Sequence, residues 1–200
     1  KNALDLMNGG PPSQRNMPQH IAQRNWALMD LGNLAEARLE VNRGLGIGRT
    51  PDLLLQDALL KTEQKHYAAG RAAVEEALRQ NPEDTRLLRM LMKSYEAEKK
   101  VPEAFERLRK QGEMFPGSAR ILEFTGSWLL DAGNPGDARR ALNAAKGADS
   151  KFTPADISLA RLDMAENKPD AARKRLADVL ARDGRNATAR LWLGHVEEMS

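Results

Sequence analysis

Residues 119–152 read ARILEFTGSWLLDAGNPGDARRALNAAKGADSKF. Ile121, Leu122, Thr125, Gly126 and Leu129 recur in steps of three and four, the rhythm of one helix face. Ala132-Gly133-Asn134-Pro135 interrupts them. Gly suits a helix end because it takes a left-handed backbone without a Cβ clash. Pro suits the first turn of the next helix, where its missing N–H would be unpaired anyway. Ala138, Ala141, Leu142 and Ala145 then resume the helical spacing. The segment therefore reads as helix, short turn, helix. Two antiparallel helices on so short a turn must touch, and a bulky side chain at the crossing would hold them apart. Gly126, Ala138 and Ala145 are small for that reason.

The same unit repeats outward from this stretch. Gly70, Ala104, Ala138 and Ala172 are each 34 residues apart, and Ala37 sits 33 before Gly70. A second track runs Ala58, Met92, Gly126, Ala160, Gly194 at 34. A third runs Leu54, Leu88, Leu122 and breaks at Asp156, while Pro82 and Pro116 are again 34 apart. Leu31-Gly32-Asn33 and Glu166-Asn167-Lys168-Pro169 read as further turns. A fixed period of this length marks a solenoid of stacked hairpins, each with two faces that only neighbours can bury. Asn25, Met92, Gln111 and Val179 depart from the small residue expected at their positions, which predicts looser or shifted packing in the first, third and fifth units.

Composition agrees. The chain has 200 residues, 41% apolar and 30% charged, with only 4% aromatic. That excludes a disordered tail, and no apolar run approaches the roughly 20 residues of a membrane span. Ala, Leu and Arg are abundant, and all three favour helices. Residues 1–100 carry 15 basic and 13 acidic side chains and residues 101–200 carry 16 and 15, a net +3 without a basic stripe. Nucleic acid is therefore not an expected partner. Cysteine is absent, so disulfides and thiolate chemistry are excluded.

The tracks resemble the tetratricopeptide repeat family. The third unit carries the resemblance in Leu88, Leu91, Tyr95, Ala104, Leu108 and Pro116, and the fourth in Leu122, Gly126, Leu129, Gly133, Ala138, Leu142 and Ala145. The second carries it in Leu54, Ala58, Tyr67, Val74, Ala77 and Pro82, while the first and fifth are more degenerate. The resemblance implies an all-α, right-handed superhelical solenoid whose first helices line a concave groove. Its repeats fall at 18–50, 51–84, 85–118, 119–152 and 153–186, with an unpaired helix at 187–199. Residues 1–17 read as a linker or the end of a preceding repeat, because Asn8-Gly9-Gly10-Pro11-Pro12-Ser13 is a breaker cluster after Ala3-Leu4-Asp5-Leu6-Met7. The opening on Lys1 and the apolar Leu191, Leu193, Val196 and Met199 read as signs of a piece whose native chain continues.

Family phasing places a peptide-binding groove. Its apolar part is Trp26, Met29, Leu55 and Leu59, and its basic centre is Arg86, Arg89, Lys93, Arg120 and Arg161. Arg89 and Lys93 are four apart and share a helix face. A planar guanidinium binds a carboxylate through two bonds, so the expected ligand is a protein or peptide with an acidic segment. The competing reading is a solvated charged face neutralised by Glu96, Glu123 and Asp131. Chaperone-binding members clamp a carboxylate with Lys or Arg and Asn; Arg89 and Lys93 match the clamp's basic third unit, but Ala22, Trp26, Leu55 and Leu59 stand where its Lys and Asn should be, so a chaperone C-terminus is not expected. The family further implies a scaffold in envelope assembly, secretion or polysaccharide export, with a leaning to the bacterial periplasm or envelope over the cytoplasm. Alternatives are an accessory module of a larger enzyme or regulator, or self-association.

Catalytic chemistry is not expected, nor any cofactor or metal. His20, His66 and His195 fall in different units without i, i+4 pairing. Ser94, Ser127 and Ser158 lie on helical patterns without a sharp nucleophile turn. Glu75-Glu76, Glu83-Asp84 and Glu197-Glu198 read as solvated helix surface or helix starts. Gly44-Leu45-Gly46-Ile47-Gly48-Arg49-Thr50 suggests a phosphate loop, but a helix precedes it and Arg replaces the usual Lys. It reads instead as a frayed helix end and a flexible turn.

Overall fold

The structure, a computed structural model, describes residues 12–198. The expectations for residues 1–11 and for Met199 lie outside them. A single helical turn at Pro12–Arg15 precedes eleven helices, and no strand occurs among the described residues. The helices are α1 (Pro18–Asp30), α2 (Leu34–Ile47), α3 (Pro51–Glu63), α4 (Tyr67–Gln80), α5 (Thr85–Ala97), α6 (Val101–Met114), α7 (Ala119–Asp131), α8 (Pro135–Ala148), α9 (Thr153–Ala165), α10 (Pro169–Arg182) and α11 (Ala187–Glu198). The fold is the all-α helix-turn-helix solenoid class.

The first helices α1, α3, α5, α7 and α9 end in the same way. Gly32, Lys65, Lys99, Gly133 and Asn167 all have φ between 58° and 77°. In each turn the amide of that residue donates three residues back, as Gly133 does to Leu130 O at 3.0 Å. The following amide donates five back, as Asn134 does to Leu129 O at 2.9 Å. This left-handed cap satisfies carbonyls that the helix end leaves open. Between hairpins, Thr50, Asp84, Ser118 and Asn186 accept from the backbone amides of Leu53, Arg86, Ile121 and Ala189. These caps start α3, α5, α7 and α11.

The chain forms two compact units, 1–106 and 107–200, divided within α6. In the first, α3 packs against α1, α2, α4 and α5. Ile21, Ala22 and Leu53 form one buried cluster, and Leu28, Ala37, Val41 and Leu60 another. Gln56 Nε2 donates to Ala22 O at 2.7 Å, tying α3 to α1. The glycine-rich stretch differs from its expected frayed end. Helix α2 runs to Ile47 with Gly44 buried, where a Cβ would lie 2.9 Å from the Leu53 methyls. Arg49 is fixed by Nε and Nη2 to the two Glu76 oxygens at 2.5 and 2.7 Å.

In the second unit, α9 packs against α7, α8, α10 and α11. A Cβ on Gly126 would sit 2.5 Å from Leu142 and 3.1 Å from Ala138 O, so α7 and α8 touch at the small residues. The leucine track breaks at Asp156 because an ion-pair layer takes its place. Asp156 meets Lys146 of α8 at 3.0 Å and Arg182 of α10 at 2.5 Å. Asp163, two turns on, meets Arg139 of α8 at 2.8 Å and Arg175 of α10 at 2.7 Å. Across the chain Asn25, Met92, Gln111 and Val179 are all buried, so the departures from small residues do not open these crossings to solvent.

Candidate protein-binding faces

The first helices present two faces, one in each unit. In the first unit α3 lies between α1 and α5 and contacts both. Trp26 and Leu59 are half-buried on it. Leu55 is only 5% exposed, and Met29 packs on the Leu28–Leu60 cluster, so these two give the face little surface. Arg89 and Lys93 are exposed on α5. Arg86 is exposed too, but its guanidinium is engaged at both ends. It meets Asp84 at 2.6 and 3.1 Å and Asp52 of α3 at 2.9 Å. The hydrogen bond to Asp84 raises the Arg86 pKa above its ordinary value. Burial opposes ionisation of Asp84, yet the bonds it accepts from the Arg86 side chain and backbone outweigh this and lower its pKa. Arg86 is thus an internally compensated cation, held by the same Asp84 that caps α5.

The second unit carries a polar face on α7, α9 and α11. The Ser127 and Ser158 hydroxyls both donate to Glu123, at 2.7 and 2.6 Å. Arg161 meets Asp131 at 2.7 Å and lies over the Trp192 ring at 5.2 Å. Trp192 in turn lies 5.3 Å from His195, rings tilted. Arg120 is exposed on α7. The expected basic centre is therefore partly neutralised in place, with Arg86 and Arg161 both held by aspartates. The Glu123 pair of hydroxyls has no imidazole in it and orders a helix–helix contact.

Ser158 and Trp192 belong to this face without having been singled out for it. A signal existed: Gln56, Met90, Phe124, Ser158 and Trp192 are each 34 apart. Three of them touch the preceding first helix, Gln56 at Ala22, Ser158 at Glu123 and Trp192 at Arg161. Among the described residues no group of three His, Cys, Asp or Glu is placed to hold a metal, and no helix is long and apolar enough to cross a membrane.

Side-by-side first helices with exposed polar and aromatic faces, on a frame of identical turns, define a helical-repeat scaffold. Comparison with known proteins gives the family. Residues 103–151 and 129–196 match two tetratricopeptide repeat models. No curated protein matches by sequence. Among solved structures, a thermophilic tetratricopeptide repeat protein of Thermus thermophilus is similar at 16% identity and TM-score 0.63, covering 90% of this chain and 98% of that one. Yeast Tom70 is similar at 13% identity and TM-score 0.77, over 92% of this chain and 40% of that one. YrrB, a protein of the same repeat class with an unusual peptide-binding site, is similar at 14% identity and TM-score 0.50, over 94% and 97%. Residues 103–196 thus belong to the tetratricopeptide repeat family, and the chain as a whole has the fold of tetratricopeptide-repeat proteins. That family is typically a non-catalytic scaffold for protein–protein interaction.

Proposed function

We propose that the chain holds a peptide with an acidic segment on the face of α1, α3 and α5. The observation that carries this is the exposed pair Arg89 and Lys93 on α5, one turn apart, on a helix packed against α3 and its half-buried Leu59. Trp26 on α1 extends the apolar part. Arg120 and Arg161 belong to the second unit's face, where Arg161 stays on Asp131 and contributes shape more than charge. The peptide-binding site of YrrB, a distant relative in fold, is consistent with this use. Envelope assembly, secretion or polysaccharide export are the processes in which we place it, on the family resemblance alone.

The test is fluorescence anisotropy with a labelled synthetic peptide of Glu, Asp and Leu, against the same peptide with Lys for the acids. The acidic peptide should bind, and raising salt from about 50 to about 500 mM should weaken it, because exposed charges are screened beyond a few ångströms at that strength. Arg89→Glu with Lys93→Glu should weaken it by about tenfold or more. Equal binding of both peptides, or an unchanged affinity in the double variant, would overturn the proposal.

A further inference from the structure

Buried and half-buried acids of this chain are answered by its own cations. Asp57 meets Arg38 and Lys61, Glu98 meets Arg71 and Lys100, and Asp163 meets Arg139 and Arg175. Glu123 of α7 departs from this habit. It is half-buried, and among the described residues no cation pairs with it. Arg120, one turn earlier, stays exposed, and Arg161 is turned onto Asp131 at 2.7 Å. Glu123 has two hydroxyls instead. Ser127, one turn on, and Ser158 of α9 both donate to its Oε1, at 2.7 and 2.6 Å. Ser158 is only 5% exposed, so the carboxylate is pinned from beneath. Its Oε2 accepts nothing from the described residues and reaches solvent.

Two hydroxyls orient a carboxylate but leave its charge whole. A half-buried charge without a counter-ion is costly to the fold. A charge already held in one orientation has little side-chain freedom left to lose when a ligand arrives. The repeat shows where this charge stands. Glu123 and Ser127 lie 34 residues after Arg89 and Lys93. The two positions that carry an exposed basic pair on α5 therefore carry a pinned acid and a hydroxyl on α7, and the sign that suits a ligand is reversed. The donor set also separates the two basic side chains. A guanidinium fork makes its paired bonds to both oxygens of a carboxylate. Here Oε1 is shared by two hydroxyls and Oε2 alone is open, which suits the compact ammonium of lysine.

We infer that Glu123 Oε2 binds the ammonium of a lysine carried by a partner segment that lies across α7 and α9, with Ser127 and Ser158 as positioning residues. The site belongs to the second unit and stands apart from the acidic-peptide face of the first. A single contact of this kind is weak, so it selects among partners more than it holds them.

The test is an NMR titration of the isotope-labelled 200-residue chain with the peptide Gly-Leu-Lys-Leu-Gly, blocked at both ends. The amides of Glu123, Ser127 and Ser158 should shift. Acetylating the lysine ammonium should weaken binding by about fivefold, and arginine in place of lysine should also bind more weakly. Glu123→Gln should lower the affinity for the lysine peptide by about the same factor and erase its advantage over the acetylated one. The acidic peptide should keep its affinity for Glu123→Gln, so the two binding faces fail separately. Ser127→Ala with Ser158→Ala frees Oε1 and keeps the charge, so lysine should still exceed acetyl-lysine while its advantage over arginine is lost. Equal binding of the lysine and acetyl-lysine peptides by the unaltered chain overturns the inference, and this comparison needs no variant to fold. So does unchanged lysine binding in Glu123→Gln, or an arginine peptide that binds the unaltered chain as tightly. A preference over arginine that survives the double serine variant removes the positioning role.

Discussion

Lysine is a poor residue for a left-handed backbone, and this chain uses it there twice. Lys65 and Lys99 have φ of 60° and 59° at the turn position that Gly32 and Gly133 fill elsewhere. A side chain in that region costs about 1–2 kcal/mol, and Gly loses about 0.5–1 kcal/mol of that advantage to chain entropy in the unfolded state. Lys65→Gly and Lys99→Gly should therefore each raise stability by about 0.5–1 kcal/mol. Urea midpoints at unchanged m would report it, and a lower midpoint would contradict the strain. Asn25 is the residue-scale cost on the opposite side. It is fully buried at a position that is Ala or Gly in three other hairpins, and neither amide atom has a partner. An unpaired buried amide is expensive, so the first hairpin carries a built-in weakness.

Among the helices, arginine on one hairpin repeatedly reaches the next. Arg38, Arg71 and Arg139 each follow the small residue of a second helix. They meet Asp57 at 2.6 Å, Glu98 at 2.6 Å, and Asp163 and Glu166 at 2.8 Å. Helix α9 takes this furthest, since Asp156 and Asp163 each bridge α8 to α10. Asp163 is 2% exposed and accepts from two guanidinium groups. Removing a buried partner leaves the others uncompensated. Asp163→Ala should cost about 2–3 kcal/mol, the low side of a broken buried pair because Arg139 and Arg175 reach solvent. Thermal unfolding of this variant beside Asp170→Ala, whose carboxylate is 96% exposed on Arg173, gives the comparison. Equal losses in the two would remove the special role of Asp163.

At the scale of the molecule, each unit is organised around one helix enclosed by four others. Leu53 to Ala58 of α3 and Ala155 to Ala160 of α9 are buried without interruption. Such helices open only when their unit does, whereas a helix with one open face frays locally. Amide exchange should be slowest in α3 and α9 and much faster in α11. Protection of α11 equal to that of α9 would contradict this picture.

The repeating hairpin was legible in the amino-acid sequence because close helix crossings demand small residues and tight turns demand Gly, Asn or Pro, and both demands are local. The proposed binding face was legible only in part: Trp26 and Leu59 are half-buried and Arg89 and Lys93 exposed. Leu55, from the same phasing, is enclosed, because α3 packs against four helices and its sequence loses the amphipathic rhythm. Arg86 and Arg161 look like ligand cations in the sequence but are held by Asp84, Asp52 and Asp131. The break at Asp156 looks like decay of the repeat and is an ion-pair layer drawn from helices on both sides. Periodicity along the chain thus determined the elements and their turns. Which charges are spent inside the fold, and which remain for a partner, was decided only by tertiary packing, because a charge is neutralised by neighbours in space that the linear order does not bring together.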